Sequence, residues 1–192
     1  MHDVIRKSVV GLARRCAPPK CVRRFLNRQD GTAAVEFGMI ALPFFGLLFA
    51  ILETALVFFA GQSLEAAAAE SARQIMTGQA QNAGYSQDDY KKFVVCSYLA
   101  SGVSLFDCAN GVYVNVQTYA DFASANTNPP TTNGDLDPSK LHYNPGNPGD
   151  IVVVQLYYKW KILASLFGDG LANMGTDRLL VATSVFRNEP YK

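Results

Sequence analysis

Residues 37–60, "FGMIALPFFGLLFAILETALVFFA", hold one ionisable side chain, Glu53, in 24 positions. As a helix the run extends about 36 Å at about 1.5 Å per residue. The hydrocarbon core of a bilayer is about 30 Å thick, so the run is long enough to cross it. Apolar side chains sit all round such a helix, which suits lipid better than one buried stripe. Pro43 removes the backbone bond to the carbonyl of Met39 and predicts a kink, which membrane helices tolerate. The Ala-rich continuation "SLEAAAAESARQIMTGQA" favours helix strongly. The expectation is one helix from Thr32 to about Gln79, bent near Gly61: a transmembrane part over residues 32–62 and a water-exposed stalk over 63–80.

Charge gives the run a direction. The chain has a net charge of +1, but residues 1–31 carry eight basic side chains (Arg6, Lys7, Arg14, Arg15, Lys20, Arg23, Arg24, Arg28) against Asp3 and Asp30, a net +6. The remainder holds nine basic and fourteen acidic side chains, a net −5. A basic head before an apolar run predicts a head kept in the cytosol and a body that crosses. Nucleic acid is not the expected partner of the head, which is short, lacks a binding motif and abuts the membrane segment. A cleaved secretory signal fits poorly: the charged head is too long, the apolar run exceeds the usual ~7–15 residues, and a cut after Ala60 would put Phe58 where a small residue is wanted.

Residues 81–192 read as an α+β domain. "SQDDYKKFVVCSYLAS" predicts a helix with Ser86 as N-cap and Asp89 three residues on. "GVYVNVQTYADF" alternates Val112, Val114 and Val116 with Tyr113, Asn115 and Gln117, the pattern of a half-buried strand. "GDIVVVQLYYKW" and "DRLLVATSVFR" predict two more strands. Residues 123–149 are rich in Asn, Pro, Thr and Gly and predict a long surface loop. "ILASLFGDGLANM" predicts a short helix packed on the sheet. The expected fold is therefore a long N-terminal helix followed by a small domain with an antiparallel sheet of about three strands and a packed helix.

No catalytic set is visible. "AGQSLE" lacks the G-x-S-x-G elbow, and neither a P-loop nor G-x-G-x-x-G occurs. His142 has no nucleophile motif near it. Asp135 and Asp137 lie in the long loop, where solvation is the expected state. Cys16, Cys21 and His2 fall short of the four ligands of a zinc site. The expectation is a chain that is not an enzyme and uses neither metal nor cofactor.

One acid, Glu36, stands where lipid would begin. The segment "GTAAVEF", with Glu36 and Phe37 fifth and sixth after Gly31, resembles the processing site of type IV-like prepilins, and the Glu-aromatic pair resembles the Flp branch. Pro43, Glu53, a Cys pair and the ending "SVFRNEPY" resemble TadE-like pseudopilins of the tight-adherence (Tad) pilus system. The chain lacks the D-x-S-x-S motif of the larger Tad pseudopilins, which implies the short type.

The resemblance implies a cut between Gly31 and Thr32 by a prepilin peptidase, removal of the basic leader, and work in pilus biogenesis through helix packing with pilin and other pseudopilin subunits. The site residues it implies suit that chemistry. Gly31 admits close approach of a protease backbone. After cleavage Glu36 lies one turn from the new α-amine of Thr32 and can pair with it, or with a neighbouring subunit's amine; complementing the helix dipole is the plainer role. For Glu53 a carboxylate snorkelling to the outer interface is the plainer reading, and a contact to a partner helix the sharper one. The implied location is the bacterial inner membrane, N-terminus cytosolic and domain periplasmic. There Cys96 and Cys108 would form a disulfide, whereas Cys16 and Cys21 would stay reduced. The rival expectation is an unprocessed single-pass anchored binding module.

Overall fold

The computed structural model describes residues 31–101, 105–162, 172–175 and 177–191. The basic leader, with Cys16 and Cys21, and most of the segment expected to form a helix at 162–174 lie outside the described residues.

Helix α1 runs from Thr32 to Met76, 45 residues with Pro43 inside it. Its residues divide between two compact units, one ending at Gly46 and the other running from Leu47 to the C-terminus. In the first unit the described residues are the opening turns of α1, mostly exposed and apolar: Val35, Phe37, Met39, Ile40, Leu42, Phe44 and Phe45 all face outward.

The second unit is an α+β domain. After α1 come α2 (Gln79–Asn82), α3 (Gln87–Tyr90), a π-helical turn (Lys91–Val95) and α4 (Cys96–Ala100). Strands β1 (Val112–Tyr119), β4 (Ile151–Lys161) and β5 (Asp177–Arg187) form an antiparallel sheet in the order β1-β4-β5, and β2 (Thr131–Thr132) pairs with β3 (Asp135–Leu136). The sheet is the expected one, with Val114 opposite Leu156 and Leu156 opposite Ala182. The expected N-cap is present as a full capping box: the Ser86 hydroxyl accepts from the Asp89 amide, and the Asp89 carboxylate accepts from the Ser86 amide. Hydrogen bonds from the Ser86 hydroxyl and amide hold the Asp89 carboxyl below its usual range.

The residues expected to form a stalk, and the end of the expected transmembrane part, are part of the core. Val57, Ala60, Leu64, Ala67, Ala68, Ala72 and Ile75 recur at three- and four-residue spacing and are buried in one cluster with Val112, Val114 and Val116 of β1, Val152, Val154 and Leu156 of β4, and Leu180 and Ala182 of β5. Alanines let the helix backbone approach a sheet face already filled by valines. Tyr90, Val95 and Leu99 complete the cluster from α3, the π turn and α4. The end of α1 is fixed by the C-terminal tail: Gly78, at φ 77°, turns the backbone out of the helix, and the Glu189 amide donates to the Met76 carbonyl at 2.9 Å. A left-handed φ of this kind favours glycine.

The long loop lies on the surface as expected, but it also reaches the sheet. It folds over the second face of the sheet, where Leu136, Tyr157 and Leu179 form a smaller core flanked by Tyr113, Leu141 and Met174. Asn115 and Gln155, cross-strand partners, are buried under it and hydrogen-bonded: Asn115 Nδ2 donates to Gln155 Oε1 at 3.0 Å, Gln155 Nε2 to the Thr127 carbonyl at 2.9 Å, and the His142 amide to Asn115 Oδ1 at 2.9 Å. Burying those amides is tolerable because each finds a partner. Beside β1, the His142 carbonyl accepts from Val116 N and Asn144 N donates to the Val116 carbonyl, both at 2.8 Å, covering that sheet edge.

Candidate functional site

Gly31, Thr32, Glu36 and Phe37 occupy the start of α1 and are all exposed. A Cβ added at Gly31 would meet nothing within 4 Å. Glu36 follows Thr32 by four residues on one helix, so the two lie on the same face, one turn apart. Among the described residues, nothing covers these positions at the start of the helix.

Cys96 and Cys108 are joined in a disulfide, with Cα atoms 5.7 Å apart. The bridge links the start of α4 to the turn that leads into β1. Cys108 packs against the main core, so the crosslink ties the short helices to the sheet they cover.

Glu53 departs from the expected exposed, snorkelling carboxylate. It is buried, 8% exposed, and is engaged within the chain. The helix hydroxyls nearby follow the same rule of internal satisfaction: Thr54 Oγ1 donates to the Ala50 carbonyl at 2.8 Å and Ser63 Oγ to the Phe59 carbonyl at 2.9 Å. Such back-bonding removes the cost of a hydroxyl in an apolar setting.

The loop acids are partnered too. Asp135 pairs with Lys159 Nζ at 2.6 Å. Asp137 accepts from the Ser139 hydroxyl and amide and from the Thr132 hydroxyl, which hold its carboxyl down at about 2. The Asp137 contacts close the β2–β3 hairpin on itself, and the Asp135 pair ties it to β4. Among the described residues no group of three His, Cys, Asp or Glu side chains is placed to hold a metal ion.

Sequence reasoning missed two clefts at one end of the sheet. One, of about 560 Å³, is lined by Asp107, Asn110, Tyr113, Tyr158, Trp160 and Lys161 among others. It opens where β1 ends: Val112 pairs with Tyr158, so residues 159–161 of β4 have β5 as their only strand partner among the described residues. The other, of about 450 Å³, lies between α1 residues Thr54, Phe58, Gly61 and Gln62 and β5 residues Arg178 and Leu180. The signal available in the sequence was "YYKWK", which crowds aromatic and cationic side chains together at the end of a strand.

The fold defines a class: a small α+β domain whose sheet is covered by a helix, that helix being long and apolar enough to cross a membrane. Comparison with known families narrows it. Residues 31–73, from Gly31 through most of α1, match the family described as TadE-like protein. The likeness to that family is confined to this segment. No curated protein and no solved structure gives a match.

Proposed function

We propose that the chain is a minor pseudopilin of a Tad-type pilus assembly system. It is inserted in the bacterial inner membrane with its N-terminus cytosolic and its domain periplasmic. A prepilin peptidase cuts it between Gly31 and Thr32, so it serves that enzyme as substrate and has no catalysis of its own. The mature helix then packs with pilin and other pseudopilin subunits during pilus biogenesis. The observation that carries this reading is the family match, which begins at Gly31 and includes Glu36 and Phe37. Physical chemistry supports the roles. Gly31, having no Cβ, admits close approach of a protease to the scissile backbone, and Glu36 offers a counter-charge for the α-amine that cleavage creates at Thr32.

The test is co-expression with a Tad-type prepilin peptidase, followed by N-terminal sequencing of the shortened chain. Thr32 is the expected first residue, and Gly31→Val should block the cut. Glu36→Ala should still be cut, because the amine it pairs with exists only afterwards, yet fail to co-purify with partner subunits. An uncut wild-type chain would return the chain to the class of unprocessed anchored binding modules, and cleavage of Gly31→Val at the wild-type rate would put the cut elsewhere and overturn the role given to Gly31.

A further inference from the structure

The apolar surface of α1 within the second unit ends abruptly. Leu47, Leu48, Phe49, Ile51, Leu52, Leu56, Phe58 and Phe59 are exposed, and then the sequence turns to Gly61, Gln62, Ser63 and Glu65. One end of the sheet lies at that boundary. Arg178 shares a cleft with Thr54, Phe58, Gly61 and Gln62, and its cross-strand partner on β4 is Trp160. Beside Trp160 the missing length of β1 leaves the cleft lined by Tyr113, Tyr158, Lys159 and Lys161. Tyr158 and Trp160 lie with ring centroids 6.3 Å apart, both half-buried.

We propose that this end of the sheet docks on the phospholipid headgroup layer of the membrane that α1 enters, with Trp160 as the interfacial anchor. The inference rests on reading α1 as the membrane anchor. Trp and Tyr concentrate at the headgroup level because each joins an apolar ring to a polar atom. Lysine stems lie along apolar surface with the ammonium in water. The acceptor chemistry selects the lipid: Lys159 is paired with Asp135, and Asp107 and Asp177 share the cleft with Lys161. With Arg178 of the adjoining cleft, three cationic side chains stand against these three aspartates, which fits a zwitterionic headgroup and requires no anionic lipid.

Trp160 is the only tryptophan in the chain, so its emission reports on this site alone. The full chain is reconstituted in phosphatidylcholine vesicles containing lipids brominated either near the headgroup end or near the tail end of the acyl chains. The expected result is loss of most Trp160 emission with the shallow label, much less loss with the deep one, and little quenching by aqueous iodide. A companion variant carrying Trp160→Phe and Phe49→Trp places the reporter mid-run, where the deep label should quench it. If that companion is quenched while Trp160 is open to iodide, or is shielded from lipid and iodide alike, the docking is wrong and the anchor stands. If bromine at neither depth quenches the companion, the membrane reading fails and the docking falls with it.

Discussion

Leu64→Ala separates a helix that is a structural part of the domain from one that only carries it. Leu64 has no exposed surface, and its helix neighbours in the core are Ala60, Ala67 and Ala68. None of these can extend into the space a lost isobutyl group leaves, and the valines of the sheet are stiff at χ1. The cost should therefore fall mid-range for a buried Leu→Ala change, about 3 kcal/mol. In a domain of this size each kcal/mol moves the midpoint by about 2–4 °C, so the expected drop is about 6–12 °C. Leu56, 46% exposed on the same helix, is the control: Leu56→Ala should leave the midpoint within the range of ordinary surface changes, about 0.5 kcal/mol. The assay is thermal unfolding of the full chain in a mild detergent, followed by near-ultraviolet circular dichroism. Equal midpoints for Leu64→Ala, Leu56→Ala and wild type would refute the packing argument and restore a free stalk.

Two further outcomes follow from the domain. Replacing both Cys96 and Cys108 by Ser opens a loop of twelve-residue separation, which in the chain-entropy model costs about 3 kcal/mol; urea unfolding of the double variant beside the oxidised wild type measures it, and equal stabilities would reject the entropic account. The second concerns acid. Asp137 is held at about 2 by hydrogen bonds from Ser139 and Thr132, and Asp89 and Asp135 are also lowered, by Ser86 and Lys159 respectively. Depressed carboxyls contribute stability above their unfolded value of about 4, and that contribution is lost as the pH falls toward 2. Midpoints should thus be insensitive to these groups near neutrality and decline below about pH 4, and Asp137→Asn should shallow the decline; an unchanged acid limb in that variant would count against its role.

Strand β1 was legible because one face of it is periodic, and β4 because Ile, Val and Tyr crowd one run, which is buried on both faces from Val152 to Tyr157. Val112, Val114 and Val116 alternate, and the structure buries them as that alternation requires. The span of α1 was legible to within three residues, since expected and observed ends differ only between Gln79 and Met76. Its role was not. Alanine reads as a helix former before it reads as core, and only a close sheet face, supplied by residues far along the chain, makes Ala60, Ala67 and Ala68 buried ones. The packing of the loop at 123–149 on the sheet was not legible for a related reason. Its Pro, Asn and Gly residues mark turns, yet Leu136 and Leu141 are held by a second sheet face that no local pattern announces. The residues at 31–37 stand out in the sequence through their spacing and the resemblance it carries, whereas the burial of Glu53 has no local sign in an otherwise apolar run.

Because α1 supplies one wall of the core, a pull along its axis is borne in shear by side chains from Val57 to Ile75 together, and not by a single peptide tether. Several interlocked residues loaded in parallel must slip at once before the sheet is left behind. Close packing resists such slip, since its contacts have discrete rather than graded alternatives. A displacement of the helix by one turn, about 5.4 Å, therefore carries the sheet and its disulfide-linked cover with it as cargo.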